Sequence, residues 1–138
     1  SWTALHWAAL GGSSSLLEAL LQHAGSVGAR EALVSARDNH GDQPLHVCCH
    51  YNSVALDDLL LAHGAELDAR GGHGQTPLIR ASQYGALEAV RYLLSAGADP
   101  AIRDANGRTA LEVVCERGNG EAAGDIRAAL QVRSRQLT

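Results

Sequence analysis

One triplet recurs along this chain at a fixed interval. Thr76-Pro77-Leu78 returns 33 residues later as Thr109-Ala110-Leu111 and lies 33 after Gln43-Pro44-Leu45, and a further step back of 40 reaches Thr3-Ala4-Leu5. The register is shared beyond the triplets: Gly41, Gly74 and Gly107 fall 33 apart, as do Arg37, Arg70 and Arg103, and Leu60-Leu61 maps onto Leu93-Leu94. A period of this size restricts the chain to a stack of similar units in which each touches its neighbours, rather than one closed globule. The 138 residues therefore read as a single domain of four units, 1–36, 37–69, 70–102 and 103–138, with an insertion at 24–36 that lengthens the first step.

Within each unit the pattern predicts two helices. Thr3 is a suitable N-cap for a helix that Gly11-Gly12 ends, and Leu16, Leu17, Leu20 and Leu21 give Ser14 to His23 one apolar face. Residues 24–36 read as a loop insertion with a helical turn at Arg30 to Val34. The second unit opens on a tight turn, Arg37 to Asp42, then predicts helices from Pro44 to Tyr51 and from Val54 to Ala62, with Pro at the first helical position where a missing N–H costs nothing. The third repeats this, with helices from Pro77 to Tyr84 and Leu87 to Ser95. In the fourth, helices are expected over Thr109 to Arg117 and Ala122 to Val132, the latter more polar, as the end of a stack requires.

Charge excludes some partners. With 15 acids against 11 bases the net charge is −4, which gives no general attraction to nucleic acid or to an anionic membrane, and the arginines are spread singly along the chain. No apolar run approaches the ~18 residues of a membrane span. Three cysteines, Cys48, Cys49 and Cys115, form no disulfide framework, which points to a reducing cytoplasmic or nuclear setting. Ser1 falls inside a repeat, so the chain reads as a fragment of a longer protein, and Trp2 and Trp7 read as an apolar face that another segment covers.

The motifs Thr3-Ala4-Leu5-His6-Trp7-Ala8-Ala9, Gln43-Pro44-Leu45-His46 and Thr76-Pro77-Leu78, with the loops Gly64-Ala65-Glu66-Leu67-Asp68-Ala69-Arg70 and Gly97-Ala98-Asp99-Pro100, resemble the ankyrin repeat family over essentially the whole chain. The resemblance implies an all-α solenoid of stacked antiparallel helix pairs with hairpin-like loops. It also implies a protein-interaction module, monomeric in isolation, without an enzyme's chemistry or a cofactor. Two departures stand out: Ile79 and Glu112 replace the histidine kept at His6 and His46, which removes its bonds between loops, and Arg80 stands where Trp7, Val47 and Val113 are apolar, which predicts that Arg80 faces solvent or a partner. Asp68 stands where the family often carries an asparagine that cytosolic hydroxylases modify, and a carboxylate fits that reaction less well.

In the family a concave wall of first helices and loop tips binds the partner. Carried onto this chain, that wall comprises Asn39, His40 and Asp42, then His73 and Gln75, then Asn106 and Arg108 at the loop tips, and His50, Tyr51, Gln83, Tyr84, Glu116 and Arg117 at the helix ends. Tyr51 and Tyr84 then sit about 10 Å apart on adjacent units, with Arg80 one turn before Tyr84. Tyrosine and arginine on a rigid surface are the residue types enriched at binding hot spots, so the expected partner is a protein or peptide offering acidic and aromatic-compatible contacts. Arg37, Arg70 and Arg103 offer either a basic ladder for an acidic peptide or, as the weightier reading, pairs with a nearby Asp38 or Asp104 that shape each loop.

Other chemistries fare poorly. Equivalent histidines on successive units stand roughly 10 Å apart, whereas zinc draws its ligands to about 2 Å. Cys48 and Cys49 replace small residues and read as packing groups. No phosphate loop, dinucleotide fingerprint or nucleophile elbow occurs. A second reading, a regulatory or substrate-recruiting domain of a larger enzyme such as a ubiquitin ligase, draws on the complete absence of lysine, which a GC-rich genome would equally produce.

Overall fold

A computed structural model of the chain describes residues 3–117 and 120–136. Trp2 lies outside the described residues. Helices α1 (Ala4–Gly11) and α2 (Ser14–His23) form the first pair, α4 (Pro44–His50) and α5 (Val54–Ala62) the second, α6 (Pro77–Gln83) and α7 (Leu87–Ser95) the third, and α8 (Ala110–Arg117) and α9 (Ala123–Gln136) the fourth. No strand occurs among the described residues. The first helices pack in file, α1 on α4, α4 on α6 and α6 on α8, and the second helices form a parallel file. One continuous core runs between the files, holding Leu5, Leu17, Leu45, Leu60, Leu78, Leu93 and Leu130 at 0–1% exposure.

The caps follow from the residues. Thr3 and Thr76 accept the N–H groups of His6 and Ile79 through their hydroxyls, and Ser13 does the same for Leu16. The helices of the fourth unit depart slightly from expectation: Thr109 serves as a cap, with Glu112 receiving its N–H, and α9 continues one turn past Val132 because no glycine or proline stops it. The insertion is corrected more fully. It folds as a two-turn helix, α3 (Val27–Val34), capped by Ser26 and anchored by Val34, which is 1% exposed. A buried valine and a good cap give this segment the tertiary contact that a short helix needs.

Bonds between loops align the units. His6 Nδ1 accepts the Thr3 N–H, which leaves Nε2–H to donate to the Asp42 carbonyl at 2.8 Å. His46 repeats the device one unit on, accepting the Gln43 N–H and donating to the carbonyls of Ala69 and Gln75, both at 3.0 Å. In the next two units other contacts take over: Ile79 is buried in the core, and Glu112 accepts from Arg103 at 3.0 Å. Among the described residues no member of the arginine file pairs with Asp38, and of the three Arg103 alone meets a carboxylate. Arg37 instead donates to the carbonyls of Gly41 and Arg70, and Arg70 to those of Gly74 and Arg103, so each guanidinium staples its own loop to the next.

The strongest staple is ionic. Both terminal guanidinium nitrogens of Arg80 reach the Asp42 carboxylate at 2.9 Å, with side-chain exposures of 12% and 7%, and Asp42 Oδ1 also accepts the Gly72 N–H at 2.8 Å. Arg80 therefore does not face solvent or a partner as expected: it turns back across the unit boundary, where charge-assisted, bidentate bonds are strongest. Gly72 is the residue that lets the loops close this tightly, since a Cβ there would lie 2.6 Å from the His40 carbonyl.

Asp57 departs from the core's chemistry. It is 0% exposed, at the repeat position of Leu17 and Val90, which are also 0% exposed. The Cys49 thiol donates to Oδ1 at 3.5 Å, and Oδ2 has no hydrogen-bond partner. Burial pushes the Asp57 carboxyl from 3.8 up to about 7. The same burial, then the neighbouring Asp57 charge, pushes the Cys48 and Cys49 thiols up. Because the folded chain holds the Asp57 proton more tightly than the unfolded one, the stability it contributes is complete below pH 3.8 and is lost as pH rises to about 7.

Two outcomes are expected. Asp57→Leu stabilises the domain by about 2–3 kcal/mol more at pH 8 than at pH 5, at about 1.4 kcal/mol per pH unit, read from urea unfolding; an equal effect at both pH values contradicts a buried neutral acid. Arg80→Ala strands the Asp42 carboxylate and costs about 3 kcal/mol or more in the same assay, whereas a cost near zero would mean that the pair is not held in solution.

Candidate functional site

Because α1, α4, α6 and α8 pack in file, residues at one repeat position project at one height. Three rows result. Trp7, Val47, Arg80 and Val113 form the first, Leu10, His50, Gln83 and Glu116 the second, and Gly11, Tyr51, Tyr84 and Arg117 the third. The second and third rows interlock through ring contacts. His50 stacks on Tyr84 with centroids 3.8 Å apart and planes at 28°, and it lies 4.5 Å from the Tyr51 ring. Arg117 extends the line, its guanidinium 5.7 Å from the Tyr84 centroid, within the range of a cation–π contact.

The result is an aromatic shelf crossing three units, with Tyr51 50% and Tyr84 47% exposed. Backbone geometry fixes where it lies. Tyr51 and Tyr84 are the C-caps of α4 and α6, and Asn52 behind the first adopts φ 59° and caps the next unit's second helix by accepting the Ala89 N–H at 2.9 Å. Burial lowers the His50 pKa and the Arg80 charge lowers it further, against a smaller opposing pull from Asp42, which favours the neutral ring between the tyrosines.

The loop-tip residues divide into two groups. Asn39, His40, His73 and Asn106 are exposed, and His73 holds φ 57°, a left-handed conformation that aims its carbonyl at the Ala105 N–H, 2.9 Å away. Asp42 and Gln75, by contrast, are 5% and 3% exposed and are committed inside the fold, which corrects their assignment as contact side chains. Gln75 accepts from Arg80 Nε at 2.9 Å and donates to Gln83 at 2.6 Å, so Gln83 is held by the same network. Sequence register alone does not reveal that Asp42, Arg80 and Gln75 satisfy one another, because the partners lie 38 and five residues apart.

At the far end Arg108 binds Asp104 at 3.1 Å and Glu116 at 2.8 Å. Burial would raise the Asp104 pKa, but the backbone N–H and guanidinium of Arg108 and the Asn106 N–H hold it below the usual carboxylate range. Small hollows line the wall: one of about 150 Å³ lies among Val47, His50, Tyr51 and Arg80, and one of about 240 Å³ among His40, His73, Gln83 and Tyr84. Trp7, 61% exposed on the first row, belongs to this wall and was missed as a site residue; its shared position with Val47, Arg80 and Val113 was the available signal.

Among the described residues no group of three or more His, Cys, Asp or Glu side chains is arranged to hold a metal ion. Cys48 and Cys49 are buried packing groups, and Cys115 is exposed. No helix is long and apolar enough to cross a membrane among the described residues.

Two family models match the chain: one described as ankyrin repeats (3 copies) over residues 1–71, and one described as ankyrin repeats (many copies) over residues 60–114. Comparison with curated proteins returned no match. With the motif register, the two files of helices and these matches in agreement, the chain belongs to the ankyrin repeat family.

Proposed function

We propose that this domain binds a protein or peptide partner through the wall formed by its first-helix ends and loop tips, and that it carries out no catalysis. Ankyrin repeats are generally protein–protein interaction modules. The observation that carries the reading to this surface is the shelf itself: two half-exposed tyrosines and an arginine, joined through His50 and mounted on stacked helices. A large aromatic side chain left half in water gives up burial that it would regain against a partner, and a rigid mount means little ordering entropy is lost on binding. His40, His73, Asn39 and Asn106 rim the shelf, while Asp42, Gln75 and Arg80 set its shape from beneath. Cytoplasmic or nuclear residence, as a monomer, goes with this reading.

Replacing Tyr51 and Tyr84 together by Ala tests it. The double variant should unfold within about 1 kcal/mol of wild type, since half-exposed side chains seldom carry more, and should lose tenfold or more in affinity for proteins captured from a lysate of the source cells. A variant at Glu18, exposed on α2, serves as the control that retains binding. Intact capture combined with a large loss of stability would make the tyrosines structural and remove the shelf from the binding surface.

A further inference from the structure

We infer that α5 is a latch held shut by the proton on Asp57: loss of that proton releases the helix from the file of second helices and uncovers Cys48 and Cys49 on α4. The acid stands where the fold elsewhere places a hydrocarbon. Asp57 is 0% exposed, and Leu17 and Val90 fill the same repeat position in the neighbouring units. Its Oδ1 accepts the Cys49 thiol at 3.5 Å, and its buried Oδ2 meets no hydrogen-bond donor of the protein. A neutral carboxyl tolerates such a place, whereas a carboxylate there has left water without a compensating partner.

Each helix packed on α5 leaves that charge unanswered. From α4 come Cys48 and Cys49, whose thiols are pushed up by burial and then by the Asp57 charge, while His46 and His50 of the same helix turn to loop carbonyls and to the tyrosines. From α7 Tyr92 feels the Asp57 charge, but its hydroxyl donates to Asp58 at 2.7 Å, and Glu88 and Arg91 are exposed. From α2 come buried Leu17 and Leu21, with Glu18 and His23 exposed. Arg80 on α6 is committed to Asp42 and Gln75. Among the described residues no cation pairs with Asp57.

The two files differ in how they are pinned. Polar bonds cross every boundary near α4: His6 donates to the Asp42 carbonyl, His46 to the Gln75 carbonyl, and Asp42 holds Arg80. Around α5 the ties are fewer, the exposed Tyr92–Asp58 bond and the Ala89 N–H on Asn52, and among the described residues no hydrogen bond or ion pair joins α2 to α5. Left-handed residues flank the helix, Asn52 at φ 59° and Gly64 at φ 97°, so its nine residues are set off by sharp turns at both ends. Opening returns Asp57 to its ordinary value of 3.8 from about 7 in the closed form. A proton is therefore released on opening within that window, and each pH unit raises the open fraction about tenfold; above about 7 the buried acid is already ionised and the rise levels off.

The test follows alkylation of Cys48 and Cys49 by N-ethylmaleimide on the whole folded chain, resolved residue by residue by tandem mass spectrometry. Exposed Cys115 is the internal standard for the reagent's own pH dependence. In wild type the rates at Cys48 and Cys49 relative to Cys115 should rise about tenfold per pH unit from pH 5 to about 7 and then flatten. In Asp57→Leu the ratio should be lower and flat, and Asp57→Asn, which keeps the shape without the charge, should also be flat and serves where leucine packs badly. Hydrogen exchange at pH 6 and pH 8, corrected for intrinsic rates, should show α5 losing protection while α6 and α7 keep theirs. A flat ratio in wild type, or an equal rise in both Asp57 variants, overturns Asp57 as the holding group. Loss of protection in α6 and α7 in step with α5 overturns the latch and leaves the acid as a determinant of global stability alone.

Discussion

A pair of helices seven to ten residues long cannot hide its own apolar face. Isolated helices of that length are marginal in water, and each folds only because the next pair lies against it. Every fully buried leucine in the shared core contributes about 1.5–3 kcal/mol relative to exposure, and the core that holds these leucines is continuous from one unit to the next. Stacking therefore has to be in register to within a fraction of a helical turn. The loops enforce it: His6, His46, Arg37, Arg70 and the Asp42–Arg80 pair each bond across a unit boundary.

That requirement shapes the site. Side chains at equivalent positions are brought into lines, and the line through Tyr51, His50, Tyr84 and Arg117 becomes continuous because His50 bridges the two tyrosines. Meanwhile the polar groups that might have competed for a partner are consumed in holding the loops. Asp42 has its oxygens occupied by Arg80 and Gly72, and Gln75 bridges Arg80 to Gln83. What remains exposed along the line is the two tyrosine rings and the Arg117 guanidinium.

The second unit carries the fold's main internal conflict. Asp57 stands in a leucine position with an unsatisfied oxygen, and Gln43 has a buried carbonyl without a partner. Both lie in the unit that supplies His50 and Tyr51, so the most aromatic part of the wall is mounted on the unit with the greatest polar burden. Each such group costs about 1–3 kcal/mol, and the neighbouring units, with Leu17 and Val90 at the same position, compensate through their shared core.

The 33-residue register by itself determined the all-helical class, the cap at Thr3, the start of nearly every helix and the repeat position of each residue, because these depend on local spacing and on the periodicity of apolar faces. It determined α3 poorly, since a short helix without a repeat partner shows its stability only through the burial of Val34. It misjudged Arg80, Asp42 and Gln75 for a related reason: a polar residue's role depends on which charge or carbonyl lies across the unit boundary, and that distance is a tertiary quantity. Likewise the stacking of His50 on Tyr84 and the burial of Asp57 were settled only when neighbouring units met, because ring contact and desolvation depend on the positions of residues far apart in the chain.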